Sequence, residues 1–154
     1  EIKWKNKLNN ANIVVSMNIT NEGLLIWSKG AEWALINEVN GEIIDQGSVD
    51  FQQILEKTFS YENKILLCCP NGNIMWLNDL DSNEVSKIKQ KGPVHDAKWD
   101  SEQKCWRLCI WREDVLWSKS SLETRSRKEI GKSIFKLNKT WMVLDNSGSF
   151  STHF

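Results

Sequence analysis

The chain has 154 residues with 40% apolar and 26% charged side chains, the makeup of a folded globular domain and not of a disordered or fibrous chain. Its 20 basic and 20 acidic residues cancel. No apolar run approaches the ~20 residues that a membrane span needs, and residues 1–7 lack the apolar stretch of a signal peptide.

Taken in chain order, the first strand is Gly23-Leu24-Leu25-Ile26-Trp27, which leads through Ser28-Lys29-Gly30 into Ala31–Ile36. Asn40-Gly41 then separates Ala31–Ile36 from Glu42–Asp45; both turn residues tolerate positive φ, so a tight hairpin is expected. Asp50 can cap a helix whose apolar stripe is Phe51, Ile54, Leu55, Thr58 and Phe59. A helix of that length survives only by packing on a sheet. A second hairpin joins Lys64–Cys69 to Asn73–Leu77 through Pro70-Asn71-Gly72, and a strand covers Trp106–Trp111 with another at Asp114–Trp117. Lys87–Gly92 and the polar, basic Ser118–Ser133 read as loops. A last hairpin joins Thr140–Leu144 to Ser149–Ser151 through Asp145-Asn146-Ser147-Gly148.

The expected architecture is therefore one mainly β domain over residues 1–154, α+β through one short helix, with antiparallel hairpin-based sheets. The strand–turn–strand unit recurs at 24–48, 64–77 and 140–153, and Gly92–Asp100 resembles a WD-repeat strand. A β-propeller is the second choice of fold, because about 40 residues per blade leaves 154 residues just short of four blades.

Chemistry is sparse. Gly131-Lys132-Ser133 looks like the end of a phosphate loop, but Ser126 stands where the first glycine belongs, and no Gly-x-Gly-x-x-Gly occurs. Cys68 and Cys69 are neighbours whose side chains leave a strand on opposite faces; Cys105 and Cys109 share a face about 13 Å apart, too far for one metal. Buried free thiols in a cytoplasmic protein are the expectation, and two sequons, Asn18-Ile19-Thr20 and Asn138-Lys139-Thr140, matter only in a secreted one. The two histidines, His95 and His153, cannot furnish a three-histidine metal site. A cysteine hydrolase using His95 with Cys105 or Cys109 is conceivable, yet no nucleophile turn or oxyanion loop accompanies them. Asp79, Asp81 and Asn83 loosely echo a calcium loop that lacks its turn glycine and closing Glu, and read as a solvated turn. The residues thus point away from catalysis, cofactors and metals.

What remains is charge and tryptophan. Residues 1–84 hold 6 Lys+Arg against 12 Asp+Glu, net −6; residues 85–154 hold 14 against 8, net +6. Lys3, Lys5, Arg125, Arg127, Lys128 and Lys132 are the candidate nucleic-acid contacts. Nine tryptophans exceed what one small core hides, and interfaces are enriched in Trp, so Trp4, Trp27, Trp76, Trp111 and Trp117 are candidate protein contacts.

The succession Leu24–Trp27, Trp33–Ile36, Asn40–Gly47, Asp50–Phe59, Asn63–Leu67 and Val143–Gly148 resembles the small accessory subunit of type III-D CRISPR effector complexes, the Csx-nineteen family. Residues 78–135 depart from that pattern. The resemblance implies a non-catalytic structural subunit that docks on the backbone subunits of an RNA-guided complex, with guide or target RNA close to its basic half. It implies no membrane and no small-molecule substrate. A WD-like propeller scaffold that binds a protein partner is the competing expectation.

Overall fold

In the computed structural model the described residues are 13–81 and 84–154. They hold fifteen strands and no helix. Strands β1 (Val14–Ile19), β2 (Leu24–Ser28), β3 (Glu32–Ile36) and β4 (Ile43–Ser48) form one sheet in that order. The second sheet holds β5 (Lys57–Tyr61), β6 (Lys64–Cys68), β7 (Asn73–Leu77) and β8 (Val85–Lys89), and the third β9 (Val94–Asp100), β10 (Cys105–Ile110), β11 (Glu113–Trp117) and β12 (Leu122–Ser126). The fourth has three strands, β13 (Gly131–Leu137), β14 (Thr140–Asp145) and β15 (Phe150–Thr152). The registers are antiparallel, with Leu25 opposite Leu35, Leu108 opposite Val115 and Val143 opposite Ile134. The mainly β, hairpin-built expectation holds.

Each sheet is short. The first occupies residues 14–48, the second 57–89 and the third 94–126, which is 35, 33 and 33 residues. Strands β2, β6, β10 and β14 begin 40, 41 and 35 residues apart. Four sheets therefore fit where an average of about 40 residues per blade suggests fewer. Two-residue loops make this possible: Tyr61 pairs with Lys64, Ile110 with Glu113, and Leu137 with Thr140.

Two compact units divide the chain: one takes the described residues to Cys69 with Met75–Val85, the other Pro70–Ile74 with Ser86–Phe154. In the first, Leu25, Trp27, Trp33, Leu35, Leu55, Ile65, Leu67, Met75 and Leu77 form one buried cluster. Burying each such side chain contributes about 1.5–3 kcal/mol. In the second, Cys109, Ile134 and Val143 pack together with Trp141 against them. There Asp96 also ties β9 to β13, accepting from the Ile134 amide at 2.7 Å and from Ser133 Oγ at 3.2 Å.

The expected helix over 50–59 is absent. Lys57–Tyr61 is a strand instead, with Phe59 opposite Leu66. Thr, Phe and Tyr favour the pleated surface, and ten residues are too few to hold a helix against it. Leu55 keeps the buried position that the apolar stripe gave it, but its amide donates to the Lys29 carbonyl and that of Glu56 to the Cys68 carbonyl. Those bonds run between segments and leave no i to i−4 ladder. The loops expected at Lys87–Gly92 and Ser118–Ser133 likewise contain β8, β12 and the start of β13. Every residue of β12 is exposed, so it carries no apolar alternation to read.

Gly72 and Gly148 both sit at turns with positive φ, +86° and +82°. A Cβ on Gly72 would run into the Gln90 carbonyl, whereas one on Gly148 meets nothing within 4 Å. Gly148→Ala is expected to lose about 1 kcal/mol, the conformational term alone, and Gly72→Ala about 2–3 kcal/mol once crowding is added. Urea unfolding of the two variants checks this; equal midpoints would show that the Gln90 strand yields.

Candidate functional site

The first unit contains a cleft of about 380 Å³ between the first and second sheets. Its floor follows from strand register. Leu25 pairs with Leu35 and Leu35 with Asp45, so one row across β2, β3 and β4 carries two apolar residues and ends in a carboxylate. Trp33, two residues before Leu35, shares its face, and Ile65 lines the cleft from β6. The indole of Trp33 is backed by Gly47, where a Cβ would meet the ring at 2.9 Å.

Turns build the rim. Thr20 closes the β1–β2 turn, its amide donating to the Gly23 carbonyl at 2.9 Å and its hydroxyl to the same carbonyl at 2.8 Å, and this turn carries Glu22. Glu62 and Asn63 are the two-residue loop between β5 and β6. After β7 the chain bends as Asp79 Oδ1 accepts from the Asp81 amide at 3.0 Å. Glu22, Asp45, Glu62, Asp79 and Asp81 line the cleft, and no Lys or Arg does. Of these carboxylates Glu62 pairs with Lys64, at 3.7 Å. The sequence marked Asp79 and Asp81 as a solvated turn; the fold sets that turn on a cleft. Glu22, Trp33, Asp45 and Glu62 carried no local signal, because they come together only through sheet register and hairpin tips.

The five carboxylates are dispersed around the cleft. Among the described residues no group of three or more His, Cys, Asp or Glu is arranged to hold a metal ion.

The residues expected from sequence fall elsewhere. Lys3, Trp4 and Lys5 lie outside the described residues. Trp27, Trp76 and Trp117 are buried and belong to the interior, correcting their expected exposure; β2 turns Trp27 inward by alternation, while β7 and β11 are buried on both faces. Trp111 is exposed. Arg125 and Arg127 are not free phosphate ligands: their guanidiniums bond the fully buried Asp114 at 2.9 and 2.7 Å, and also hold the Thr152 carbonyl and Ser151 hydroxyl. Arg125 lies directly across from Asp114 in the β11–β12 register. The pairs neutralise the buried Asp114 carboxylate, which would otherwise be uncompensated. Lys128 and Lys132 are exposed.

None of the four cysteines is in a disulfide, and all are buried. Burial pushes the Cys105 thiol up to about 11 and those of Cys68 and Cys109 further. The thiolate that a cysteine nucleophile needs is thereby disfavoured at neutral pH. His153 is also buried. Arg107, itself buried, donates from Nε to Asp100 Oδ2 at 2.9 Å and from Nη1 to the His153 carbonyl at 3.2 Å, and Nη1 lies 3.2 Å from His153 Nδ1. Arg107 can only donate, so Nδ1 accepts, and the ring proton sits on Nε2, 3.1 Å from the Leu108 carbonyl. The guanidinium also stacks on Trp141, 5.2 Å from its centre. This group is a packing device: Asp100, Arg107 and His153 are enclosed within the second unit, and Trp141 covers them partly buried.

No protein-family model matches the sequence, and no curated protein is similar to it. Solved structures do share its fold. The computationally designed Ika4 protein superposes with a TM-score of 0.71 over 98% of this chain and 96% of its own, at 6% identity. The WD40 β-propeller domain of Doa1 gives 0.69 at 18% identity over 94% of this chain, and the β-propeller domain of Myceliophteria thermophila Cps50 (Swd1) gives 0.66 at 12% over 90%. This chain spans about half, 52%, of each of those two structures. The fold is of the WD40-like β-propeller type, with each sheet resembling a blade; the second-choice architecture of the sequence analysis is the observed one.

Burial holds the His153 imidazole below its ordinary value of 6.5, against the opposing pull of Asp114. An unfolded chain therefore binds a proton that the folded one does not. Stability should be full above about pH 6.5 and fall as pH drops through that value toward the lower folded one. Urea midpoints at pH 7.5 and 5.5 test this: His153→Gln should flatten the difference, and an unchanged slope would assign it to other groups.

Proposed function

We propose that the protein is a non-catalytic interaction module that binds a protein partner through the loops at its strand ends. The observation that carries this reading is Trp111. It occupies the two-residue loop between β10 and β11, beside Arg112, at a φ of +52°. Glycine is the ordinary occupant of such a position, and a bulky residue there costs on the order of 1 kcal/mol. The side chain is nonetheless 48% exposed. A Cβ on Gly92 would meet the Trp111 Cβ at 3.4 Å, and the Trp111 carbonyl accepts from the Gly131 amide, so the loop is anchored while the indole reaches water. A large apolar side chain held in a strained backbone and left half in water does little for folding. Tryptophan is the residue type most enriched among interface anchors. The WD40-like fold supports the same reading by analogy.

A narrower form of this reading is the RNA-guided effector subunit that the sequence resemblance implies. The exposed Lys128 and Lys132 favour it as phosphate contacts. Recovery of guide RNA with the protein from its native cells, lost when both lysines are replaced by Glu, would support it; RNA-free complexes at low salt would overturn it.

The experiment for the main reading is Trp111→Gly. Relief of the positive φ should leave thermal stability equal or higher, while recovery of the protein's native partners falls at least tenfold. Full recovery with the variant would overturn the reading. A lower melting temperature would mean that Trp111 serves the fold instead.

A further inference from the structure

We infer that the cleft of the first unit is a docking site for a basic peptide segment, taking a Lys or Arg side chain flanked by apolar residues. This deepens the protein-binding reading and rests on it. Two features define the occupant. The floor is apolar: Leu25, Leu35 and Ile65 are buried, and Trp33 is 7% exposed with its ring in the wall. The methylene stem of a long cationic side chain suits such a floor, and a guanidinium or ammonium is attracted to an indole face. The rim is anionic: Asp45 comes from β4, Glu22 and Glu62 from two hairpin tips, and Asp79 from the turn after β7.

The charge sits there without local need. Asp45 Oδ1 accepts from the next amide, Gln46, at 2.8 Å, and Asp79 from that of Asp81; both are bonds that Asn makes equally well. Negative charge lines the cleft, where like charges repel, and among the described residues no Lys or Arg lines it, the Lys64 ammonium pairing with Glu62 at 3.7 Å from β6. A cationic ligand relieves that repulsion. A metal ion is the less suited cation, because among the described residues no three of these carboxylates form a metal-holding group. At about 380 Å³ the space lies within the range of ligand pockets and exceeds what a single ion fills.

The test uses two fluorescent ten-residue peptides, one alternating Arg with Leu and the other Glu with Leu. They are titrated onto the whole chain and onto the triple variant Asp45→Asn, Glu62→Gln, Asp79→Asn. The basic peptide should bind, the acidic one should not, and affinity should fall as salt rises. The triple variant should bind at least tenfold more weakly while melting at the same or a higher temperature, since it removes repulsion, keeps the Asp45 and Asp79 hydrogen bonds and loses only the partly exposed Lys64–Glu62 ion pair. Equal affinity for the variant, or no binding of the basic peptide, would overturn the inference. Equal binding of free arginine would overturn the peptide as occupant. Trp111→Gly serves as the second arm: partner recovery that depends on Trp111, with no peptide effect at the cleft, sinks this inference and leaves the protein-binding reading standing. Peptide binding with Trp111-independent recovery supports the cleft and removes the hairpin anchor.

Discussion

Short strands impose the governing constraint. Among the described residues none exceeds seven, so no single strand can bury much surface, and each sheet is held by what its inward positions carry. The chain answers with large apolar side chains at those positions. Trp27 and Trp106 are fully buried, and the whole of β10 is enclosed. Once the interior is filled in this way, side chains free to meet other molecules are found at hairpin tips, in turns and on edge strands. The cleft and Trp111 are both products of that division: strand register supplies the apolar floor, and two-residue loops supply the carboxylates and the exposed indole.

The charge asymmetry acquires a structural meaning. In the basic half three of the four arginines are engaged with internal carboxylates: Arg107 with Asp100, and Arg125 and Arg127 with Asp114. Lys91 and Lys136 reach Glu113 and Glu102. These five bases brace the second unit against four acids, so they account for little of the positive excess itself. The acidic excess of the first half includes the five carboxylates of the cleft. The sequence suggested a basic face for a partner; the geometry adds an acidic cleft in the first unit, which we propose as a docking site.

How legible this was depended on where each strand lies. Strands β2, β3, β6, β7, β10 and β14 stand out because their apolar runs end at Asn-Gly or similar turns. The outer strands β8 and β12 are mostly polar and exposed, so neither period nor composition marks them. The segment 50–59 misleads because Phe51, Leu55 and Phe59 fit a helical stripe by accident of spacing, while Thr58, Phe59 and Tyr61 prefer a strand and the pairing with β6 decides. The site was less legible still. Asp114 meets Arg125 and Arg127 only across β11–β12, and Leu25, Asp45, Ile65 and Asp79 converge from positions scattered over more than fifty residues. Tryptophan count pointed to surplus aromatics, but burial assigns Trp27, Trp76 and Trp117 to the interior and leaves Trp111 outside.

The central claim is that the buried groups of this chain hold its sheets together and that its surface does its work by contact. The thiols give the most direct measurement. Cys68, Cys69, Cys105 and Cys109 are enclosed, and the native protein should react with a chromogenic disulfide at neutral pH only as fast as it unfolds, the rate rising with urea for all four. Labelling of even one cysteine within seconds in the native state, at a rate indifferent to urea, would reveal an activated thiolate and contradict the account.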